Sequence, residues 1–183
     1  MRITAVTVAL VAMLGLLAVP AFAQNTSPTG VDQKFINEAI QANDQEIDQA
    51  RVELRSTTDP AVRMFAQTMI RDHTQSNAQL AGAAKALGLD ASSPHIVQGQ
   101  NTQPATAPGT GGAMPMPARQ YMTQEVTDHQ NAIGLYKGEA SNGSAQALKT
   151  YAADTLPTLN QHLAMAQQYL SSGTITPQPT QSP

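Results

Sequence analysis

Four segments of about 25 residues carry apolar side chains at alternating steps of three and four. That pattern commits the chain to amphipathic helices, each of which must bury one face. In residues 31–56 the seam runs through Ile36, Ile40, Asn43, Ile47, Ala50 and Leu54. In residues 60–87 it passes Val62, Ala66, Met69, His73, Ser76, Leu80, Ala83 and Leu87. The third, 118–141, follows Met122, Val126, His129, Ile133, Tyr136 and Ala140, and the fourth, 145–170, follows Leu148, Ala152, Leu159, His162, Ala166 and Tyr169.

The punctuation sets the connections. Thr57, Thr58, Asp59 and Pro60 make a tight turn in which Asp59 is an N-cap and Pro60 a first-turn proline. Gly88 suits the end of the second helix, and Asn142, Gly143 and Ser144 turn the chain between the third and fourth. Residues 92–117 are Pro, Gly, Gln, Thr and Ala with hardly any charge, which reads as a flexible crossover. The two hairpins match at a constant offset of 86 residues, pairing Phe35 with Tyr121, Ile40 with Val126, Ile47 with Ile133, Val62 with Leu148 and Phe65 with Tyr151. A 25-residue helix is about 37 Å long, and the crossover spans that at about 3.3 Å per residue, so helices two and three can run parallel. The expected fold is all-α: a ferritin-like four-helix bundle over residues 31–172, made of two helical hairpins joined by a long crossover. Residues 24–30 read as a linker, and 173–183, rich in Thr, Pro and Gln, as a disordered tail.

Ahead of the bundle, Met1 and Arg2 precede an apolar run over residues 3–19, then Pro20 and the triplet Ala21, Phe22, Ala23. This is the layout of a secretory signal peptide, 1–23, cleaved after Ala23, so the product is expected in the periplasm or secreted. An uncleaved membrane anchor is the other reading of that run; Pro20, the Ala-x-Ala site and the polar residues that follow favour cleavage. No second long apolar run follows, so no membrane span is expected after cleavage.

The chain has no Cys, which removes disulfides, thiolate nucleophiles and zinc-thiolate sites. Without Arg2, nine Lys and Arg stand against 13 Asp and Glu, a formal charge near −4 with the signs interspersed. There is no basic stripe for nucleic acid, and the few aromatics are scattered singly.

Polar residues on apolar seams hold the functional signal. Three of the four His, His73, His129 and His162, sit on the seams of three different helices. Glu46 flanks the first seam, almost level with His73 about the Asp59 turn. His129 and His162 differ in depth about Gly143 by roughly 7 Å, a gap that leaning side chains on antiparallel helices narrow. One carboxylate and three imidazoles suit a divalent transition metal, or copper. Met69, four residues before His73, and Met165, three after His162, are a thioether variant of the copper reading, though buried Met is a common core filler. A standard di-iron centre is not expected, because Ile70 and Leu159 stand where Glu-x-x-His pairs need Glu. Asp72 points outward or orients a neighbouring ring, and Pro157 is expected to kink helix four.

The stretch from Asp59 through Pro60, Val62, Phe65 and Ala66, the run Met69, Ile70, Arg71, Asp72, His73, and the run Leu156, Pro157, Leu159, His162 resemble an exported bacterial family, domain of unknown function number 4142. The resemblance covers nearly the whole mature chain, and Glu46 and His129 match positions where that family usually carries Glu and His. It implies a ferritin-like fold with no settled activity. The long neutral stretch with Met114, Pro115, Met116 and Pro117 departs from the pattern at the crossover.

The functional expectation is a non-catalytic periplasmic protein whose bundle holds a transition metal or small ligand at Glu46, His73, His129 and His162. The alternative is a structural or protein-interaction module of the cell envelope whose His are hydrogen-bonded core. No protein partner is legible. An enzyme ranks last, since the sequence shows no nucleophile, carboxylate pair or phosphate loop.

Overall fold

The computed structural model describes residues 27–92 and 113–176; the expected signal peptide, the middle of the crossover and residues 177–183 lie outside the described residues. Four helices are present, α1 (Gly30–Ser56), α2 (Pro60–Ala86), α3 (Ala118–Asn142) and α4 (Gln146–Ser172), with no strand among the described residues. None is long and apolar enough to cross a membrane.

The helices begin and end where the caps dictate. Asp59 accepts from the backbone N–H groups of Ala61 (2.8 Å) and Val62 (3.3 Å), with Pro60 in the first turn of α2. Gly88, at φ +71°, takes the left-handed conformation after α2. At the start of α1, Thr29 and Asp32 form a capping box. Helix α4 continues through Pro157.

Within the bundle α1 packs on α2, α3 on α4, α2 on α4 and α1 on α3. Direction follows from the ends. Asp32 near the start of α1 receives hydrogen bonds from the backbone N–H groups of Ser144 and Ala145, both 3.0 Å, at the start of α4. At the other end, Glu53 near the close of α1 accepts from Met116 N–H (2.8 Å) just before α3, and Tyr169 near the close of α4 donates to Asp59 (2.7 Å). Helices α1 and α4 therefore run one way and α2 and α3 the other, the ferritin-like arrangement that the long crossover requires.

The apolar seams form two clusters. One contains Phe35, Ile36, Leu80, Tyr136 and Leu148; the other contains Val62, Phe65, Met69, Tyr121, Met122 and Tyr169. Each large side chain so buried contributes about 1.5–3 kcal/mol relative to exposure. Residues 174–176 of the tail are described and the rest of it is not. Gly173 turns the chain at φ +72°, Ile175 is buried in the second cluster, and Thr176 N–H donates to Gln168 (3.1 Å).

Candidate metal centre

Between the two apolar clusters lies a polar layer drawn from all four helices. Helix α1 contributes Asn43 and Glu46, α2 His73 and Ser76, α3 Glu125 and His129, and α4 His162, every one of them buried. Buried polar atoms need partners, so each hydrogen bond in the layer carries information about where the protons are.

Three chains of hydrogen bonds fix the three His tautomers. The carboxylate of Asp44 only accepts, so the Asn77 amide donates to it (2.8 Å) and offers its oxygen to Asn43 Nδ2 (2.8 Å). That turns Asn43 Oδ1 toward His73 Nδ1 at 2.8 Å, and His73 must donate. Likewise His129 Nδ1 donates to the Glu125 carbonyl at 2.9 Å. His162 Nε2 lies 2.9 Å from the Asp72 carboxylate and donates to it. Burial raises the pKa of Asp72, but the hydrogen bonds from His162 and Arg71 outweigh it and bring the group down to about 2, so it is an ionised acceptor.

What remains is one lone pair on each ring: Nε2 of His73, Nε2 of His129 and Nδ1 of His162. One ring nitrogen from each of the three lies within 4.8 Å of the others. His129 Nε2 and His162 Nδ1 are 3.2 Å apart, and His73 Nε2 is buried with no hydrogen-bond partner. Two imidazole nitrogens bound to one ion at about 2.0–2.1 Å sit roughly 3.3–3.6 Å apart in tetrahedral or trigonal geometry, so the observed spacing fits a shared metal. Burial holds both His73 and His162 below the usual imidazole range, His162 at about 4, so these rings are neutral and their lone pairs available at neutral pH. In each case the second ring nitrogen donates to an acceptor, the arrangement that orients metal-binding imidazoles.

The sequence-derived residues separate here. His73, His129 and His162 come together, with ring centroids 5.2–5.7 Å apart. Glu46 joins a different group, in which one ligand atom each from Glu46, Glu125 and His129 lies within 4.8 Å of the others. The level partner of His73 on α1 is Asn43, one turn earlier. Burial, reinforced by the neighbouring carboxyl, pushes Glu46 well above the usual carboxylate range, and burial pushes Glu125 up to about 8. A carboxylate pair is thus present that the sequence did not reveal. Met69 and Met165 are buried in the apolar cluster on one side of the layer.

Sequence reasoning missed Glu125 and left Asp72 open. Glu125 precedes His129 by four residues, and a carboxylate at that spacing from a seam His is the signal that marks it. A cleft of about 760 Å³ between α1 and α3 reaches Glu46, Glu125, His73 and His129. Its wall also carries Glu38, Asp48 and Asp128, and no Lys or Arg among the described residues lines it.

Known proteins support the architecture. A DUF305 fragment from Deinococcus radiodurans superposes with a TM-score of 0.61 at 17% identity, covering 79% of this chain and 97% of the fragment. CopM in its Cu(I)-bound form gives a TM-score of 0.58 at 16% identity over 78% of this chain and 96% of CopM; CopM in an Ag-bound form, prepared by soaking, gives 0.57 at 17% over 76% and 94%. No curated protein matches the sequence. The sequence profile of the family described as "Domain of unknown function (DUF4142)" matches residues 17–169, and the chain belongs to that family.

Proposed function

We propose that this bundle is a non-catalytic metal-binding protein of the periplasm that holds one soft monovalent cation, copper(I), on His73 Nε2, His129 Nε2 and His162 Nδ1. The observation that carries the reading is the convergence of three imidazoles whose tautomers are fixed from outside, one of them with a buried nitrogen that has no partner. Neutral imidazole suits copper. Three uncharged ligands in a buried layer favour a single positive charge, because the cost of stripping water from an ion rises steeply with its charge. CopM, similar in fold, has been solved with Cu(I) and with Ag, which supports the choice of metal. The apolar run and Ala-x-Ala site at the N-terminus support export.

Titration of untagged protein with Ag⁺, and anaerobically with Cu(I), tests this. One saturable equivalent is expected in the wild type, and at least hundredfold weaker binding in the His73→Ala, His162→Ala double variant. Equal binding by both proteins refutes the assignment.

A further inference from the structure

The carboxylate side of the polar layer remains unused by three imidazoles. We infer that Glu46, Glu125 and the Nδ1 edge of His129 form a second cation site, for an oxygen-preferring divalent ion of the manganese(II) type. This goes beyond the copper reading and stands on different atoms.

Ligand atoms of these three residues lie within 4.8 Å of one another, and neither His73 nor His162 belongs to that group. Glu125 is 2% exposed, and its Oε2 is buried without a hydrogen-bond partner, 3.4 Å from His129 Nδ1. Two carboxyl groups held together out of water cannot both stay ionised unless a cation or proton sits between them. The acid-walled cleft between α1 and α3 leads to this pair from solvent. At its rim Glu38 is paired with Lys34 (2.9 Å) and Asp48 with Arg51 (3.7 Å), which leaves Glu46 and Glu125 as the carboxyl groups that meet His129 at the buried end of the cleft. Two carboxylates with one imidazole and room for water suit Mn²⁺ better than a soft ion.

His129 belongs to both groups through opposite ring nitrogens. Lending Nε2 to the imidazole site requires the proton on Nδ1, where it is donated to the Glu125 carbonyl. An ion on Nδ1 requires the other tautomer, whose Nε2–H points at His162 Nδ1, 3.2 Å away. Each site therefore opposes the other, and by linkage the antagonism is reciprocal.

Mn²⁺ titration followed by the electron paramagnetic resonance of the free ion tests the site. One equivalent is expected to bind the wild-type chain. Glu125→Gln should weaken it at least tenfold while Ag⁺ binding persists, and His162→Ala should do the reverse. Saturating Ag⁺ should weaken Mn²⁺ at least tenfold. Glu46→Gln serves as the second variant if circular dichroism shows that Glu125→Gln does not fold. Absence of saturable Mn²⁺ binding, indifference to both Glu variants, or equal loss in His162→Ala and Glu125→Gln overturns the second site. Failure of the copper reading registers separately, in the Ag⁺ arm of His162→Ala.

Discussion

His129 Nε2 and His162 Nδ1 face each other at 3.2 Å, and in the tautomers set by the Glu125 carbonyl and Asp72 neither has a proton to share. The offset of 86 residues between the hairpins places Asn43 over His129 and Ser76 over His162. In the first hairpin that pair is an ordinary hydrogen bond, Asn43 Nδ2 donating to Ser76 Oγ at 3.3 Å. Where one hairpin has a donor and an acceptor, the other has two lone pairs, an arrangement that a cation stabilises and an empty gap does not.

Asp72 holds His162 in the tautomer that frees Nδ1. Asp72→Asn keeps the shape but removes the charge and lets an amide N–H compete for the ring. Ag⁺ affinity should fall by about 10–100-fold with the fold intact. A competition titration beside a far-UV spectrum measures both, and unchanged affinity would show that Asp72 only decorates the surface.

Stability should depend on pH in two directions. His73 and His162 have folded pKa values below the ordinary 6.5, so the unfolded chain binds more protons and stability is lost as pH falls from 6.5 toward about 4. Glu46, Glu125 and Glu139 are raised above 4.5, mainly by burial, with Glu125 at about 8 and Glu139 at about 7. Their contribution is full below 4.5 and is lost as pH rises through those values. The slopes oppose each other between 4.5 and 6.5, giving a plateau there with a decline on both sides. Thermal midpoints of the metal-free protein across pH 4–9 check this, and Glu125→Gln should flatten the alkaline decline.

Much of this architecture is legible in the sequence, because a long apolar seam has few ways to be buried and because Asp59 with Pro60 marks a helix start unmistakably. The three His were visible as polar residues on apolar seams. Their meeting was harder to read, since equal counting about Gly143 leaves a depth gap that the leaning of side chains on antiparallel helices closes. Glu125 is hidden in the sequence because Val126 and Glu125 lie three and four residues before His129, both helix-neighbour positions, and the apolar Val126 is the one that fits an apolar seam. The structure buries Glu125 and leaves Val126 half-exposed. Glu46 lies one turn beyond Asn43, the level partner of His73, and groups with Glu125 and His129, since the sequence does not say which of two adjacent helices a flanking residue faces.

Asp32 joins the two hairpins at one end of the bundle, accepting from Ser144 and Ala145 while capping its own helix at Thr29. Burial raises its pKa, but those donors outweigh it and hold the group well below the usual carboxylate range. Asp32→Ala leaves the start of α4 without an acceptor and should cost about 2 kcal/mol in denaturant unfolding. A loss under about 0.5 kcal/mol would mean that water replaces the carboxylate at no penalty.

The central claim is that three neutral imidazoles hold one soft cation in the middle of the bundle. X-ray absorption on the anaerobic Cu(I)-loaded protein tests it most directly. Three nitrogen scatterers at about 2.0–2.1 Å with no sulfur are predicted. A sulfur contribution at about 2.3 Å, which would move the ion to Met69 or Met165, contradicts the account.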